Sequence, residues 1–115
     1  MRRIFKTIAL LSLFLLTTSC GENQEKSRLY LDKGMDYLYT SQFEEAIEQF
    51  DQAIKFQESN HEAYFYRGCA KYNIFQREEA LQDYLKTIEL EQDYLQALEH
   101  VCKLLHDKLR QVCTH

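Results

Sequence analysis

The residues best suited to chemistry in this 115-residue chain are four cysteines and the histidines that follow two of them. In the tail, Cys102 precedes His106 and Cys113 precedes His115. A cysteine and a histidine four residues apart share a helix face, and four such ligands suit tetrahedral zinc. Cys102 and Cys113 also suit a disulfide, but under one geometry only. In one continuous helix they would lie about 16 Å apart at 1.5 Å per residue, whereas disulfide-linked Cα atoms sit within about 7 Å. A turn near Asp107-Lys108 would bring them together. Free thiols are the third reading, and no metal is assigned. Cys20 is a separate case. It closes the stretch "LFLLTTSC", where an apolar run passes through small polar residues into charge.

That N-terminal segment is basic at its start (Arg2, Arg3, Lys6), apolar from Ile8 to Leu16, and small at its exit. This is the pattern of a secretory signal. The apolar centre spans about 14 Å as a helix, against roughly 30 Å of membrane hydrocarbon, so it is too short for an anchor. The stretch Leu16-Thr17-Thr18-Ser19-Cys20 resembles a bacterial lipobox, with Ser19 well placed and Thr17 standing where Leu, Val or Ile is usual. The resemblance implies removal of residues 1–19 and a diacylglyceryl group on the Cys20 thiol. Several acyl chains would then hold the protein at a membrane. Gly21 after the cysteine points, by the same resemblance, to the outer membrane of a bacterial cell envelope. Residues 20–26 lack large apolar side chains and are expected to form a flexible tether.

Beyond the signal the chain carries eleven basic and eighteen acidic residues, a balance of −7. Nucleic acid, which needs a basic patch, is excluded as a partner class. No glycine-rich phosphate loop is present, and no histidine or acid is placed by a motif to activate Ser41 or Ser59. The expectation is a protein with no catalytic residues, no cofactor and no small-molecule substrate.

With no proline and three glycines, nothing breaks the backbone, and helix is the default. A shift of 34 residues aligns the chain with itself. Tyr30 meets Tyr64, Gly34 meets Gly68, Gln42 meets Gln76, Glu44-Glu45-Ala46 meets Glu78-Glu79-Ala80, and Ile54 meets Ile88. Such a period marks stacked helical hairpins that share a core. Helices are predicted over 27–40, 43–57, 61–74, 77–91 and 95–106, with a short piece to the end. Ser41-x-x-Glu44, Ser59-x-x-Glu62 and Asp93-x-x-Gln96 read as N-terminal capping boxes. Gly34 and Ala46 would let two helices cross closely, while Phe50 and Tyr84 would fill the space between hairpins. The tail keeps an apolar stripe at helical spacing (Leu95, Leu98, Val101, Cys102, Leu105, Leu109, Val112), expected to cover the second hairpin.

The pattern resembles the tetratricopeptide repeat (TPR). Tyr30, Gly34, Tyr37, Ala46, Phe50 and Ala53 fit its signature in the first copy, and Tyr64, Gly68, Ala80 and Tyr84 in the second. Departures fall at Lys33 and Arg67 in place of Leu, Lys71 in place of Tyr, Thr87 in place of Ala, and Glu58 and Gln92 in place of Pro. The resemblance implies an all-α, TPR-like right-handed superhelix: repeat one at 27–60, repeat two at 61–94, and a capping helix or partial third repeat at 95–115. It also implies a concave groove lined by the first helix of each pair. The matching positions are Leu31, Met35, Leu38 and Tyr39, then Phe65, Tyr66, Cys69, Tyr72 and Asn73, then Glu99, His100, Lys103 and His106. The family's clamp for a C-terminal carboxylate needs Lys, Arg and Asn there, and Leu31 and Met35 replace the first-copy pair. The expected function is therefore a membrane-tethered adaptor or scaffold that binds an apolar or aromatic protein or peptide segment. The alternative is a structural subunit of a permanent envelope complex with a disulfide- or metal-stabilised tail.

Overall fold

The structure is a computed structural model that describes the backbone of residues 2–114 and the side chains of residues 20–114. Five helices follow one another: α1 (Arg2–Tyr39), α2 (Phe43–Phe56), α3 (His61–Asn73), α4 (Arg77–Leu90) and α5 (Leu95–Cys113). The side chains of the signal segment, residues 1–19, lie outside the described residues. Residues 20–26, expected as a flexible tether, are helical and continuous with α1. Lys26 pairs with Glu22 one turn back at 2.6 Å, and its ammonium sits 5.6 Å from the Phe56 ring centre. These contacts compensate the helix for Gly21.

Two hairpins, α1–α2 and α3–α4, repeat the same joint. The Phe50 ring lies directly over Gly34, where no Cβ would fit, and Tyr84 lies over Gly68, where a Cβ would meet the ring at 2.8 Å. Phe50 and Tyr84 are essentially fully buried. The aromatic ring thus fills the crossing within its own hairpin. Phe50 also reaches the next hairpin, stacking on Tyr66 at 6.3 Å. A second joint closes the open ends. In the first hairpin Ser27 Oγ donates to the Ala53 carbonyl at 2.7 Å; in the second, Thr87 Oγ donates to the His61 carbonyl at 3.3 Å. His61 and Thr87 stand one period beyond Ser27 and Ala53, so the hydroxyl has changed helices while the tie is kept.

The helix starts differ from the expected capping boxes. Asn60, not Ser59, caps α3, its side chain accepting from the Ala63 amide at 3.1 Å. It also donates to Ser27 at 3.0 Å, linking the two hairpins. Gln42 and Tyr94 occupy the N-cap positions of α2 and α5 without a side-chain cap. Ser41 and Phe75, again one period apart, adopt φ of 59° and 67°. This left-handed turn lets each hairpin reverse in three residues, but it strains a residue that bears a Cβ.

The signature departures at Arg67 and Lys71 have one physical cause, the buried Asp83. Arg67 grips it with two nitrogens at 2.9 and 2.7 Å, and Lys71 reaches it at 3.0 Å. A third Arg67 nitrogen holds Asp51 at 2.8 Å, tying α3 to α2 as well as to α4. Burial works against the Arg67 charge, but Asp83 and Asp51 more than offset it and raise its pKa.

Two stability outcomes follow, both readable by urea denaturation. Asp83→Ala leaves Arg67 and Lys71 without their shared carboxylate and is expected to cost about 3 kcal/mol. Phe75→Gly removes an 81% exposed ring from a left-handed position and is expected to raise stability by about 0.5–1 kcal/mol.

Candidate peptide-binding groove

Helices α1, α3 and α5, the first members of their pairs, line one face. Along α1, Leu31 is buried in the core, Met35 and Leu38 are half-buried, and Tyr39 is 78% exposed. Along α3, Phe65 is buried, Tyr66, Cys69 and Tyr72 are half-buried, and Asn73 is exposed. The face therefore holds the expected residues in one row, with two corrections. Phe65 is a core side chain and not a groove wall, and Leu31 is mostly core, reaching only the cleft at one end of the face. Leu31 belongs to the cluster around Phe50, and Phe65 to the one around Tyr84. Asn73 uses its amide nitrogen on the Cys69 carbonyl at 2.8 Å, a local tie on its own helix.

Phe65 sits at the centre of an aromatic cage. Its ring centre lies 5.2 Å from Tyr66, 5.7 Å from Tyr84, 5.1 Å from Tyr94 and 5.4 Å from His100. Edge-on and tilted packing of this kind suits the ring quadrupoles. The cage joins α3, α4, the α4–α5 turn and α5, which fixes α5 on the second hairpin. Tyr94 carried no signal that would have marked it for the cage, because it lies outside the repeat signature; His100, expected as a groove position, is half-buried in the cage instead.

Burial dominates the electrostatics here. It pushes the Tyr94 phenol up to about 12, and it raises Tyr66, Tyr84 and the Cys69 thiol. It also lowers His100, which favours the neutral imidazole. The Cys69 thiol is thus held protonated and is a poor nucleophile. The Tyr84 hydroxyl lies beside it and, among the described residues, is the one buried side-chain polar atom with no hydrogen-bond partner. At the α5 side, the Lys103 ammonium lies 5.9 Å from the Tyr72 ring centre. At the other end, an open cleft of about 780 Å³ is lined by polar residues that include Glu25, Arg28, Asp32, His61 and Glu62. The face therefore runs from a charged end, across half-buried Met35 and Tyr66, to Tyr72 under a lysine.

The tail cysteines do not meet. Helix α5 runs without a turn through Asp107-Lys108 to Cys113, so Cys102 and Cys113 are about 16 Å apart along one axis. Both are free. The expected turn is absent: the helix continues through Leu109, the residue one period beyond the left-handed Phe75. Among the described residues no cluster of three metal-ligating side chains occurs, and His115 lies outside them. Also among the described residues, no helix is long and apolar enough to cross a membrane.

Comparison with known proteins places this geometry. Residues 34–74 match the family model described as TPR repeat. The chain is 32% identical over 89 residues to human sperm-associated antigen 1, covering 75% of this chain and 10% of that protein. It spans about a tenth of the length of the curated relatives it matches. Among solved structures it is similar to the second TPR domain of human RPAP3 in complex with the HSP70 peptide SGPTIEEVD. That likeness has a TM-score of 0.66 at 30% identity and covers 69% of this chain and 66% of that one. It also resembles the second TPR of Spaghetti (RPAP3) bound to the HSP90 peptide SRMEEVD, with a TM-score of 0.73 at 22% identity, over 77% and 82% of the two chains. Period, hairpin joints and these likenesses agree: the chain is a TPR repeat protein, all-helical, with its five helices in a TPR-like arrangement.

Proposed function

We propose that this chain is a protein-interaction module. It holds an apolar or aromatic peptide segment against the face of α1, α3 and α5, and a lipid on Cys20 tethers it in a bacterial cell envelope. The observation that carries the binding reading is the row Met35, Tyr39, Tyr66 and Tyr72, which keeps apolar surface open along the face. Leu31 and Met35 stand where the family's carboxylate clamp needs polar groups. The relatives in complex hold peptides ending in EEVD. This chain offers such an acidic end no paired donors on α1, and its own excess of acid repels it. Aromatic side chains half-open on a rigid helical face suit a partner that contributes Leu, Phe or Tyr anchors. The exposed Cys20, at the end of the lipobox-like stretch, supports the tether.

Peptide-display selection against the full chain tests the binding reading. Enrichment of aromatic or aliphatic segments is expected, with about tenfold weaker binding in a Tyr39→Ala, Tyr72→Ala variant whose circular dichroism is unchanged. Selection of acidic C-termini, or no effect of the two substitutions, would sink it. The tether has its own measurement. The mass of the mature N-terminus from membranes is expected to show acylated Cys20 as the first residue; an unmodified Cys20 overturns the tether and leaves the groove untouched.

A further inference from the structure

Helix α5 carries two apolar stripes. One, Ala97, Val101 and Leu104, is buried against the second hairpin. The other is Leu95, Leu98, Cys102, Leu105, Leu109 and Val112, at spacings alternating three and four. It faces outward, with Leu95, Leu109 and Val112 exposed by 77%, 64% and 70%. The stripe expected to cover the second hairpin is this outward one, with Val101 alone of its seven residues packed inward. At 100° per residue the outward stripe is centred about 100° around the helix from the buried one, so α4 leaves most of it open and borders it only at Leu105.

The repeat period shows what this stripe is. Cys102 stands one period beyond Gly68, the residue on which Tyr84 of the following helix seats. The outward stripe is therefore the face that α1 and α3 each give to the second helix of their hairpin. Among the described residues no helix follows α5 to occupy it. A following helix that seats an aromatic ring as α2 and α4 do would be obstructed, because Cys102 brings a Cβ and a sulfur where the joint needs glycine. The stripe instead has the three-four spacing of a two-stranded seam.

We infer that a second copy of this chain occupies it, through antiparallel packing of α5 on α5. The stripe is self-complementary under a two-fold axis. Leu95 then lies opposite the partner's Val112, Leu98 opposite the partner's Leu109, and Cys102 opposite the partner's Leu105, each layer occurring twice. The same register sets Glu99 beside the partner's His106 and His106 beside the partner's Glu99. Charge and hydrogen bonding are thus complementary on the flank that does not face α4. Parallel packing gives no such pairs, since it brings Glu99 near Tyr94 and His106 near Val101. The dimer would join two grooves edge to edge and double the valency of the module.

Light scattering of the full chain in excess mild detergent, with the detergent mass subtracted, tests this. A concentration-dependent dimer is expected. A Leu98→Glu, Leu109→Glu variant, altered only at outward positions, is expected to raise the dissociation constant about tenfold or more with its circular dichroism unchanged. Register has a separate readout. In a Cys113→Ser background, Leu105→Cys is expected to give an oxidised covalent dimer through Cys102 of the other copy. A wild type that stays monomeric, a dimer that survives both glutamates, or crosslinking that needs only Cys102 would each overturn the proposal.

Discussion

An aromatic ring seated on a glycine is the contact from which the rest of this structure follows. Phe50 on Gly34 and Tyr84 on Gly68 set how closely the two helices of each hairpin approach. A ring gains dispersion contacts over its whole face only if the opposing helix presents no side chain there. Once the crossing is fixed, Ala46 and Ala80 fit between the helices, and both are completely buried. The hydroxyl ties at Ser27 and Thr87 then close the far end of each pair. The two hairpins are alike because their joints are alike.

What distinguishes the second hairpin is charge. Asp83 takes a core position, and Arg67 and Lys71, which stand in place of the signature Leu and Tyr, both reach it. A carboxylate so deeply buried is tolerable only with its lone pairs filled, and Arg67 fills them bidentately. Arg67 also spans to Asp51, so the same cluster that satisfies Asp83 orients one repeat on the next. Departures that look like weak matches to the repeat signature are thus a coordinated replacement.

The groove and the tail illustrate different uses of aromatic residues. Phe65, Tyr84 and His100 hold α5 in place, and burial favours the neutral forms of the Tyr84 phenol and the His100 imidazole. Tyr66 and Tyr72 lie on the same helix as Phe65 and remain half-open. A partner meets side chains whose positions are already fixed by the core beneath them, which limits the entropy lost on binding.

Much of this was legible from residue order. The 34-residue period and the five helices, to within a residue or two at most ends, follow from apolar spacing and small-residue placement, which are local and periodic. Other features belong to the tertiary structure alone. Whether a groove position is open, as Tyr39 is, or core, as Leu31 and Phe65 are, depends on what a neighbouring helix covers. Whether Cys102 can reach Cys113 depends on a turn that α5 does not make. Asp83 gives no sign in the sequence of being buried, because its partners are sixteen and twelve residues away. The tail was visible as apolar, but the stripe expected to cover the second hairpin faces outward except at Val101, because α5 meets the cage around Phe65 with Ala97, Val101 and Leu104 turned inward. Sequence determines what each helix can bury; only the packing of helices on one another decides which of those surfaces is left for a partner.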